Sequence, residues 1–291
     1  MNQIHAAGVK HVGILHPGQM GVTIAAAVGS AGHTVFWASQ GRSDETANRA
    51  NQSGLQDKLT VEALCNDCDF LFSVCPPDQA CKVAREVEQT DFDGLYIDCN
   101  AVSPVASRNV NDIVSQQGAA SYVDGGIIGP PAIRSGTTRL YLSGKSAPAV
   151  ADLFTGTLVD ARVLGPDAGA ASALKMAYAG WTKGSAALLM MQFALAREQG
   201  VESALLDEWA LSQPGLTETL DKACTSSAPK AWRFAGEMRE VGTALDACGL
   251  PACWFDGAAD IYQRLSQLKN KTSIDRDTVI DALLKQLDES T

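Results

Sequence analysis

Short apolar runs alternate with helix-like spacers in the first half of the chain, and this alternation constrains the fold more than any other feature. The runs are "VGIL" (12–15), "TVFWA" (34–38), "DFLFSV" (69–74), "GLYIDC" (94–99), "SYVDG" (121–125), "TTRLYLSG" (137–144) and "ARVLG" (161–165). Most are continuously apolar rather than strictly alternating, which is typical of parallel strands covered on both faces. The pattern therefore predicts a doubly wound, mostly parallel α/β sheet of the Rossmann type.

The pattern changes to helical periodicity after the last of these runs. Residues 168–199 predict one long helix that ends at Gly200, and shorter helices follow it. We therefore expect a dinucleotide-binding Rossmann domain at 1–165. An all-helical domain for substrate binding and dimerisation follows at 166–291, joined to it by the long interdomain helix.

Composition excludes several classes of function. The 291 residues carry a formal net charge of −10, which argues against nucleic acid or an anionic membrane surface as a partner. Because an apolar strand-like run begins by Val9, we expect no export signal, and hence a cytoplasmic protein with reduced thiols. Cys65 and Cys68 form "CNDC" without a second pair, so we predict no metal site.

The stretch "GILHPGQMG" (13–21) lies between the first strand and the first helix, where a dinucleotide-binding loop is expected. In a GxGxxG loop the second glycine lets the backbone approach the pyrophosphate, and the third lets the helix pack closely. Gly18 and Gly21 hold these two positions, while His16 replaces the first glycine. Pro17 restricts His16 to an extended conformation, which offers another way to set the turn. We predict that the phosphate site survives.

Two backbone amides at the start of the following helix are available to a phosphate. They belong to Gln19 and Met20, where the helix dipole also favours an anion. His16 either packs locally in the loop or contacts the cofactor, and the sequence leaves both interpretations open.

The end of the second strand indicates which cofactor is bound. An acid there would bind the ribose of NAD, but "WASQGRS" (37–43) offers Ser39, Arg42 and Ser43, with no acid before Asp44. A guanidinium and two hydroxyls suit a 2′-phosphate, so we predict NADP(H) as the preferred cofactor, with NAD(H) as the alternative. It stays open that Arg42 is a solvated loop charge and Ser43 a helix cap.

Four segments resemble the β-hydroxyacid dehydrogenase family, relatives of 6-phosphogluconate dehydrogenase, in their order and spacing. They are "GILHPGQMG", "SVCPP" (73–77), "IDCNAVSP" (97–104) and "GAASALKMAYAG" (169–180). The C-terminal helices are similar to a branch whose helical domain has no assigned function. The resemblance implies an NAD(P)-dependent oxidoreductase that acts on CH–OH or C=O groups.

The same resemblance implies roles for individual residues. Three residues after the fourth strand would lie against the cofactor: Cys75, Pro76 and Pro77. Asn100, after the fifth strand, would approach the nicotinamide ribose, and Lys175 would be the catalytic lysine. Two departures put the family's usual short 3-hydroxy acid substrate in doubt. Ile128 stands where a carboxylate-binding Ser is usual, and Ala179 where an Asn is usual.

Further residues are candidates for contact with the substrate. Tyr178 and Thr182 follow Lys175 at i+3 and i+7, on the same side of the helix. Asp124, Gly125 and Gly126 fall at the carboxyl edge of the sheet, where doubly wound sheets bind ligands. The alternatives are that Lys175 extends to the surface and that the two glycines only shape a turn.

The sequence therefore predicts an NADP(H)-dependent oxidoreductase for a small carbonyl or hydroxy compound, with Lys175 as general acid and base. Lys183 is a second candidate for that role. An imine reductase on the same architecture and a non-catalytic NADP-binding sensor or interaction protein are the alternatives. The Ala- and Met-rich long helix also predicts a homodimer.

Overall fold

A computed structural model describes residues 8–116, 121–269, 271 and 273–285. Their contacts divide the chain into two compact units, between Lys175 and Met176. The predicted domain boundary at residue 165 lies earlier, at the end of the last strand.

The first unit is built on an eight-stranded sheet in the order β3-β2-β1-β4-β5-β6-β7-β8. The strands are β1 His11–Ile14, β2 Thr34–Trp37, β3 Gln56–Asp57, β4 Phe70–Ser73, β5 Leu95–Asp98, β6 Ser121–Ile128, β7 Thr138–Ser143 and β8 Val159–Gly165. All neighbours pair in parallel except β6 and β7, which are antiparallel. The predicted doubly wound, mostly parallel sheet is confirmed.

Among the described residues, six α-helices lie in the connections between these strands. They are α1 Gly21–Ser30, α2 Asp44–Gln52, α3 Val61–Asn66, α4 Ala80–Glu88, α5 Pro104–Ser115 and α6 Ala147–Asp152. Ser43, Thr60 and Ser103 cap α2, α3 and α5 by accepting a backbone N–H with their side-chain oxygens.

Consecutive strand residues belong to different apolar cores. Phe72 and Ile97 pack with α1 residues such as Ile24, whereas Leu71 and Tyr96 pack in a second cluster. Because successive side chains in a strand point to opposite faces, the sheet is covered on both sides. This double burial explains why the strands read as continuous apolar runs.

Two strand features differ from the sequence-based expectation. β3 was not predicted, because its two residues, Gln56 and Asp57, are polar and exposed. β6 continues to Ile128, beyond the predicted end at Gly125, because its last residues pair with β7. The two glycines that follow Asp124 therefore lie inside a strand.

The strand order places a ligand crevice at one point of the sheet. The chain runs outward from β1 through β2 and β3, then returns to add β4 on the other side of β1. Such a reversal leaves a crevice outside the carboxyl ends of β1 and β4, where doubly wound sheets bind ligands.

The second unit is helical, and α7, Ala170–Glu198, enters it from the first. Its helices are α8 Glu202–Ser212, α9 Leu216–Ser227, α10 Ala231–Asp246, α11 Cys253–Leu265 and α12 Arg276–Leu284. Within the described ranges, no helix is long and apolar enough to cross a membrane.

Candidate active site

The glycine loop between β1 and α1 is a tight turn whose shape depends on Gly21. The N–H of Gly18 donates to the carbonyl of His16 over 2.8 Å, and the carbonyl of Gly18 then accepts the N–H of Val22. A Cβ at Gly21 would lie 2.3 Å from the carbonyl oxygen of His16, closer than any side chain tolerates. A Cβ at Gly18 would have no atom within 4 Å apart from its chain neighbours, so the space over Gly18 is open to a ligand.

The start of α1 has the features of an anion-binding site. The N–H groups of Gln19 and Met20 donate to no acceptor among the described residues. The helix has no side-chain cap and no acidic residue in its first turn. Free N–H groups at a helix N-terminus bind phosphate readily, so these residues fit the diphosphate of a dinucleotide.

Two unpaired polar atoms lie beside this loop. Nδ1 of His16 and Nε of Arg42 are buried without a hydrogen-bond partner in the described part of the chain. Burial, together with the charge of Arg42, lowers the pKa of His16 to about 4, so His16 is neutral at pH 7. Both atoms are therefore available to hydrogen-bond a bound group such as a dinucleotide, or water.

The loop after β2 contains the residues that are predicted to determine the preference between NADP(H) and NAD(H). The N–H of Arg42 donates to the carbonyl of Ser39 over 3.0 Å. Ser43 is the N-cap of α2, with its hydroxyl oxygen 3.3 Å from the N–H of Thr46. The hydroxyl of Ser43 therefore already has a partner in the protein. That Ser39 and Arg42 contact the cofactor stays a prediction.

Arg49 braces the glycine loop and was not found from the sequence. Its Nε donates to the carbonyl of Pro17 over 3.4 Å, while its terminal nitrogens bind Thr46 and Glu45. The spacing of Glu45 and Arg49 at i and i+4 indicates a helix-surface pair, but nothing in the sequence links either residue to Pro17.

Asn100 ties the ends of β4 and β5 together. Its Oδ1 accepts the N–H of Cys75 over 2.6 Å, and its Nδ2 donates to Oγ of Ser73 over 3.1 Å. The N–H of Asn100 donates to Oδ1 of Asp98 over 3.0 Å. Asn100 thus shapes the segment predicted to lie against the cofactor, and its side-chain amide is already engaged by protein.

The Cys75-Pro76-Pro77 segment leaves the crevice edge of β4. Pro76 is exposed, and Pro77 begins a single 3-10 turn that leads into α4. Burial raises the pKa of the Cys75 thiol to about 12, so it is protonated and unreactive at neutral pH.

Asp98 and Asp124 are two fully buried carboxyls on adjacent strands, and they lie opposite each other in the β5–β6 register. Burial raises the pKa of Asp98 to about 7. The N–H of Asn100 opposes this rise, and the charge of Asp124 adds to it. Asp98 therefore keeps its proton to a much higher pH than an exposed carboxyl does.

The contribution of Asp98 to the stability of the protein should consequently fall as pH rises from about 4 to about 7. The folded protein binds the Asp98 proton more tightly than the unfolded chain does. The stabilisation that this proton gives is present at low pH and is lost as the pH rises through the pKa of Asp98 in the folded protein. The effect is on the order of 4 kcal/mol at about 1.4 kcal/mol per pKa unit. Asp98→Asn, which cannot ionise, should flatten the pH dependence of the thermal unfolding midpoint. Parallel curves for the two proteins would contradict this assignment.

Asp124 fixes the beginning of the helix that carries Lys175. Its carboxylate accepts the N–H and the hydroxyl of Ser172, over 2.9 and 2.6 Å, and the hydroxyl of Ser143 over 3.0 Å. Oγ of Ser143 in turn accepts the N–H of Ala171. A carboxylate at a helix N-terminus is favoured by the helix dipole, so Asp124 anchors α7.

Gly125 and Gly126 let neighbouring elements approach β6 closely. A Cβ at Gly125 would lie 2.7 Å from Sγ of Cys99. A Cβ at Gly126 would lie 2.8 Å from the carbonyl oxygen of Ala171 and 3.3 Å from Cβ of Lys175. The absence of a side chain at Gly126 therefore brings Lys175 against the strand.

Lys175 is partly buried, and its Nζ donates to the carbonyl of Ile127 over 2.6 Å. Asp124 pairs with the last residue of β5, so Ile127 lies about 10 Å further along β6, beyond that strand's carboxyl end. The ammonium group is thus held at the edge of the sheet where the ends of β1, β4 and β5 also lie.

The remaining candidates lie in the helical unit. Tyr178 is 46% exposed, and the hydroxyl of Thr182 donates to its backbone carbonyl over 2.9 Å. Lys183 forms a largely buried ion pair with Glu237 and lies over the ring of Phe234. This pairing gives Lys183 a structural partner, while the roles of Tyr178 and Thr182 stay predictions.

Comparison with solved structures shows the same architecture in enzymes and in a protein of unknown function. A conserved protein of unknown function, whose structure is similar to 3-hydroxyacid dehydrogenases, is 26% identical, with a TM-score of 0.66 over 89% of this chain and 98% of that one. The 3-hydroxyisobutyrate dehydrogenase of Mycobacterium tuberculosis, solved with L-serine, is 18% identical, with a TM-score of 0.70 over 96% and 100%. A reductive aminase from Aspergillus terreus, in complex with NADPH and ethyl levulinate, is 19% identical, with a TM-score of 0.56 over 94% and 99%. The two enzymes share the fold.

Sequence comparison finds similarity to two known domains and to one curated protein. An uncharacterized 28.5 kDa protein of Methanothermus fervidus is 29% identical over 168 residues, which are 58% of this chain and 64% of that protein. The match thus spans slightly less than two thirds of that relative. Residues 11–153 match the NAD binding domain of 6-phosphogluconate dehydrogenase, and residues 196–265 match a domain of unknown function, DUF1932. The chain thus carries a domain similar to the NAD binding domain of 6-phosphogluconate dehydrogenase, followed by a domain similar to DUF1932.

Proposed function

We propose that this protein is an NADP(H)-dependent oxidoreductase that interconverts a small carbonyl compound and its alcohol, with Lys175 as the general acid and base. The observation that carries the proposal is the position of the Lys175 ammonium, 2.6 Å from the Ile127 carbonyl at the ligand-binding edge of the sheet. An ammonium there can hold and deliver a proton beside the reacting carbonyl group.

The residues around the glycine loop support binding of the cofactor. Gly18, Gln19 and Met20 leave bare backbone and free N–H groups for the diphosphate. Arg42, in the loop after β2, supplies a positive charge that suits a 2′-phosphate. When bound, NADP(H) supplies the hydride.

Lys175 supplies the proton chemistry. In the reductive direction its Nζ donates a proton to the oxygen that develops negative charge, and in the oxidative direction it accepts one from the alcohol. The anchor that Asp124 gives to α7 keeps the ammonium in place, because Lys175 lies one turn after Ser172. The hydrogen bond to Ile127 further limits the rotamers of the lysine.

The strand end beside Lys175 favours an uncharged substrate. Ile128 stands where the resemblance implies a carboxylate-binding Ser. Ile127 and Ile128 are 6% and 4% exposed, so buried apolar side chains fill this place. We therefore infer a neutral aldehyde or ketone, or its alcohol, rather than a 3-hydroxy acid. We also propose that Tyr178 and Thr182 contact the substrate.

A homodimer is also part of the proposal. Four large apolar side chains on α7 are exposed to solvent: Tyr178, Trp181, Leu188 and Leu195. A long helix with such a face is typical of a subunit interface.

A substrate panel tests the proposed function. Purified protein should oxidise NADPH in the presence of a neutral aldehyde or ketone, and more slowly or not at all with 2- and 3-oxo acids. Turnover of cyclic imines that survives Lys175→Met would instead identify an imine reductase. Cofactor binding without turnover of any compound would identify a sensor.

A further inference from the structure

The end of β2 carries a carboxylate supplied by the neighbouring strand. Asp57 is the last residue of β3 and lies opposite Trp37 in the parallel register. Its Oδ1 accepts the N–H of Ser39 over 3.2 Å and the N–H of Leu59 over 2.8 Å. Its Oδ2 accepts no hydrogen bond from any residue that the structure describes. A negatively charged oxygen therefore lies beside Ser39, at the carboxyl end of β2.

The backbone around Asp57 is held in a form that an ordinary loop would avoid. Leu59 has a φ of +63°, in the left-handed region, and its side chain is 65% exposed. The carbonyl of Leu59 accepts the N–H of Gln40 over 2.8 Å. A leucine keeps such a conformation only where its surroundings impose it, and such residues cluster at ligand sites.

Asp57 and Arg42 act on the same loop with opposite charge. Ser39 donates its N–H to Asp57, and its carbonyl accepts the N–H of Arg42. A carboxylate at the end of β2 accepts a hydrogen bond from the 2′-hydroxyl of NAD ribose and repels a 2′-phosphate. A guanidinium at the same place has the opposite preference.

We propose that Asp57 is a specificity-determining residue that opposes Arg42 and limits the preference of this site for NADP(H) over NAD(H). This inference rests on the proposed function, because it requires a dinucleotide in the crevice. Ser39 and Arg42 in the sequence favour NADP(H) over NAD(H), and the opposing carboxylate becomes visible only when β3 pairs with β2.

The substitution Asp57→Asn separates the charge from the hydrogen bonds. Both N–H donors bind Oδ1, which an asparagine retains, so the loop keeps its shape while the negative charge is removed. The matched control is Asp93→Asn. Asp93 is an exposed acid just before β5, at the opposite, amino edge of the sheet.

Calorimetric titration of the full chain with NADPH and with NADH measures the effect. In Asp57→Asn, the ratio of NADPH to NADH affinity should rise by about threefold to tenfold, as expected for one exposed charge close to a phosphate. The rise should shrink at high salt, because exposed charges are screened. Asp93→Asn should leave the ratio unchanged.

Several results would overturn the inference. An unchanged ratio in Asp57→Asn, an equal loss of affinity for both cofactors, or the same shift in Asp93→Asn would show that Asp57 only braces the loop. If Asp57→Asn unfolds at a lower temperature than wild type, the affinity ratio is measured with Asp57→Ser instead. This variant also removes the charge and keeps an oxygen. A wild-type protein that binds neither cofactor would instead remove the proposed function itself.

Discussion

Replacing Lys175 with methionine should lower turnover by about a hundredfold or more while the affinity for NADP(H) stays unchanged. Methionine keeps the length and the apolar stem of the side chain, so packing against Gly126 is retained. What is lost is the ammonium held 2.6 Å from the Ile127 carbonyl, and with it the proton donor. Loss of a general acid typically costs a factor of a hundred to ten thousand.

The other lysine of α7 provides a matched control for this prediction. Lys183 lies two turns further along the helix and pairs with Glu237. Lys183→Met should lower the thermal unfolding midpoint, because it breaks a largely buried ion pair, yet leave turnover per folded molecule near wild type. Equal turnover in wild type and Lys175→Met, measured with the substrate found in the panel, would remove Lys175 from the mechanism.

Replacing Gly21 with alanine should both destabilise the protein and abolish tight cofactor binding. The new Cβ would lie 2.3 Å from the carbonyl oxygen of His16, and neither the helix backbone nor the turn can yield cheaply. Overpacking of this kind costs typically about 1–3 kcal/mol. Because the same turn presents the amides of Gln19 and Met20, a shift of the turn also spoils the phosphate site.

Gly18→Ala should give the complementary result. No protein atom lies within 4 Å of the added methyl group, and the φ of Gly18 is not in the left-handed region. The thermal unfolding midpoint should therefore stay near wild type, while the affinity for NADPH falls by about tenfold or more. A destabilised Gly18→Ala protein, or one with undiminished affinity, would contradict the roles assigned to the two glycines.

Patterns local in sequence predicted much of this protein. The continuous apolar runs predicted seven of the eight strands, since burial on both faces leaves a direct mark on composition. The paired Gly18 and Gly21, set between a strand and a helix, predicted the tight loop despite His16. The long α7 helix lies within two residues of its predicted ends.

Contacts between distant segments could not be predicted in the same way. β3 is a two-residue polar strand, so neither hydrophobic periodicity nor composition predicts it. The position of Asp57 beside the end of β2 could therefore not be predicted either. The Arg49 contact with Pro17 and the Asp124 contact with Ser172 join residues far apart in the chain. Which distant residues come into contact depends on strand order and register, and these cannot be read from a single sequence.

The proposed function depends on binding of a dinucleotide, and the most direct test is a calorimetric titration of the purified wild-type protein with NADPH and then with NADH. The expected result is saturable heat with one site per chain, because bare backbone at Gly18 and free amides at the start of α1 would hold the diphosphate. The absence of binding heat with both nucleotides, from protein with a cooperative unfolding transition, would contradict it.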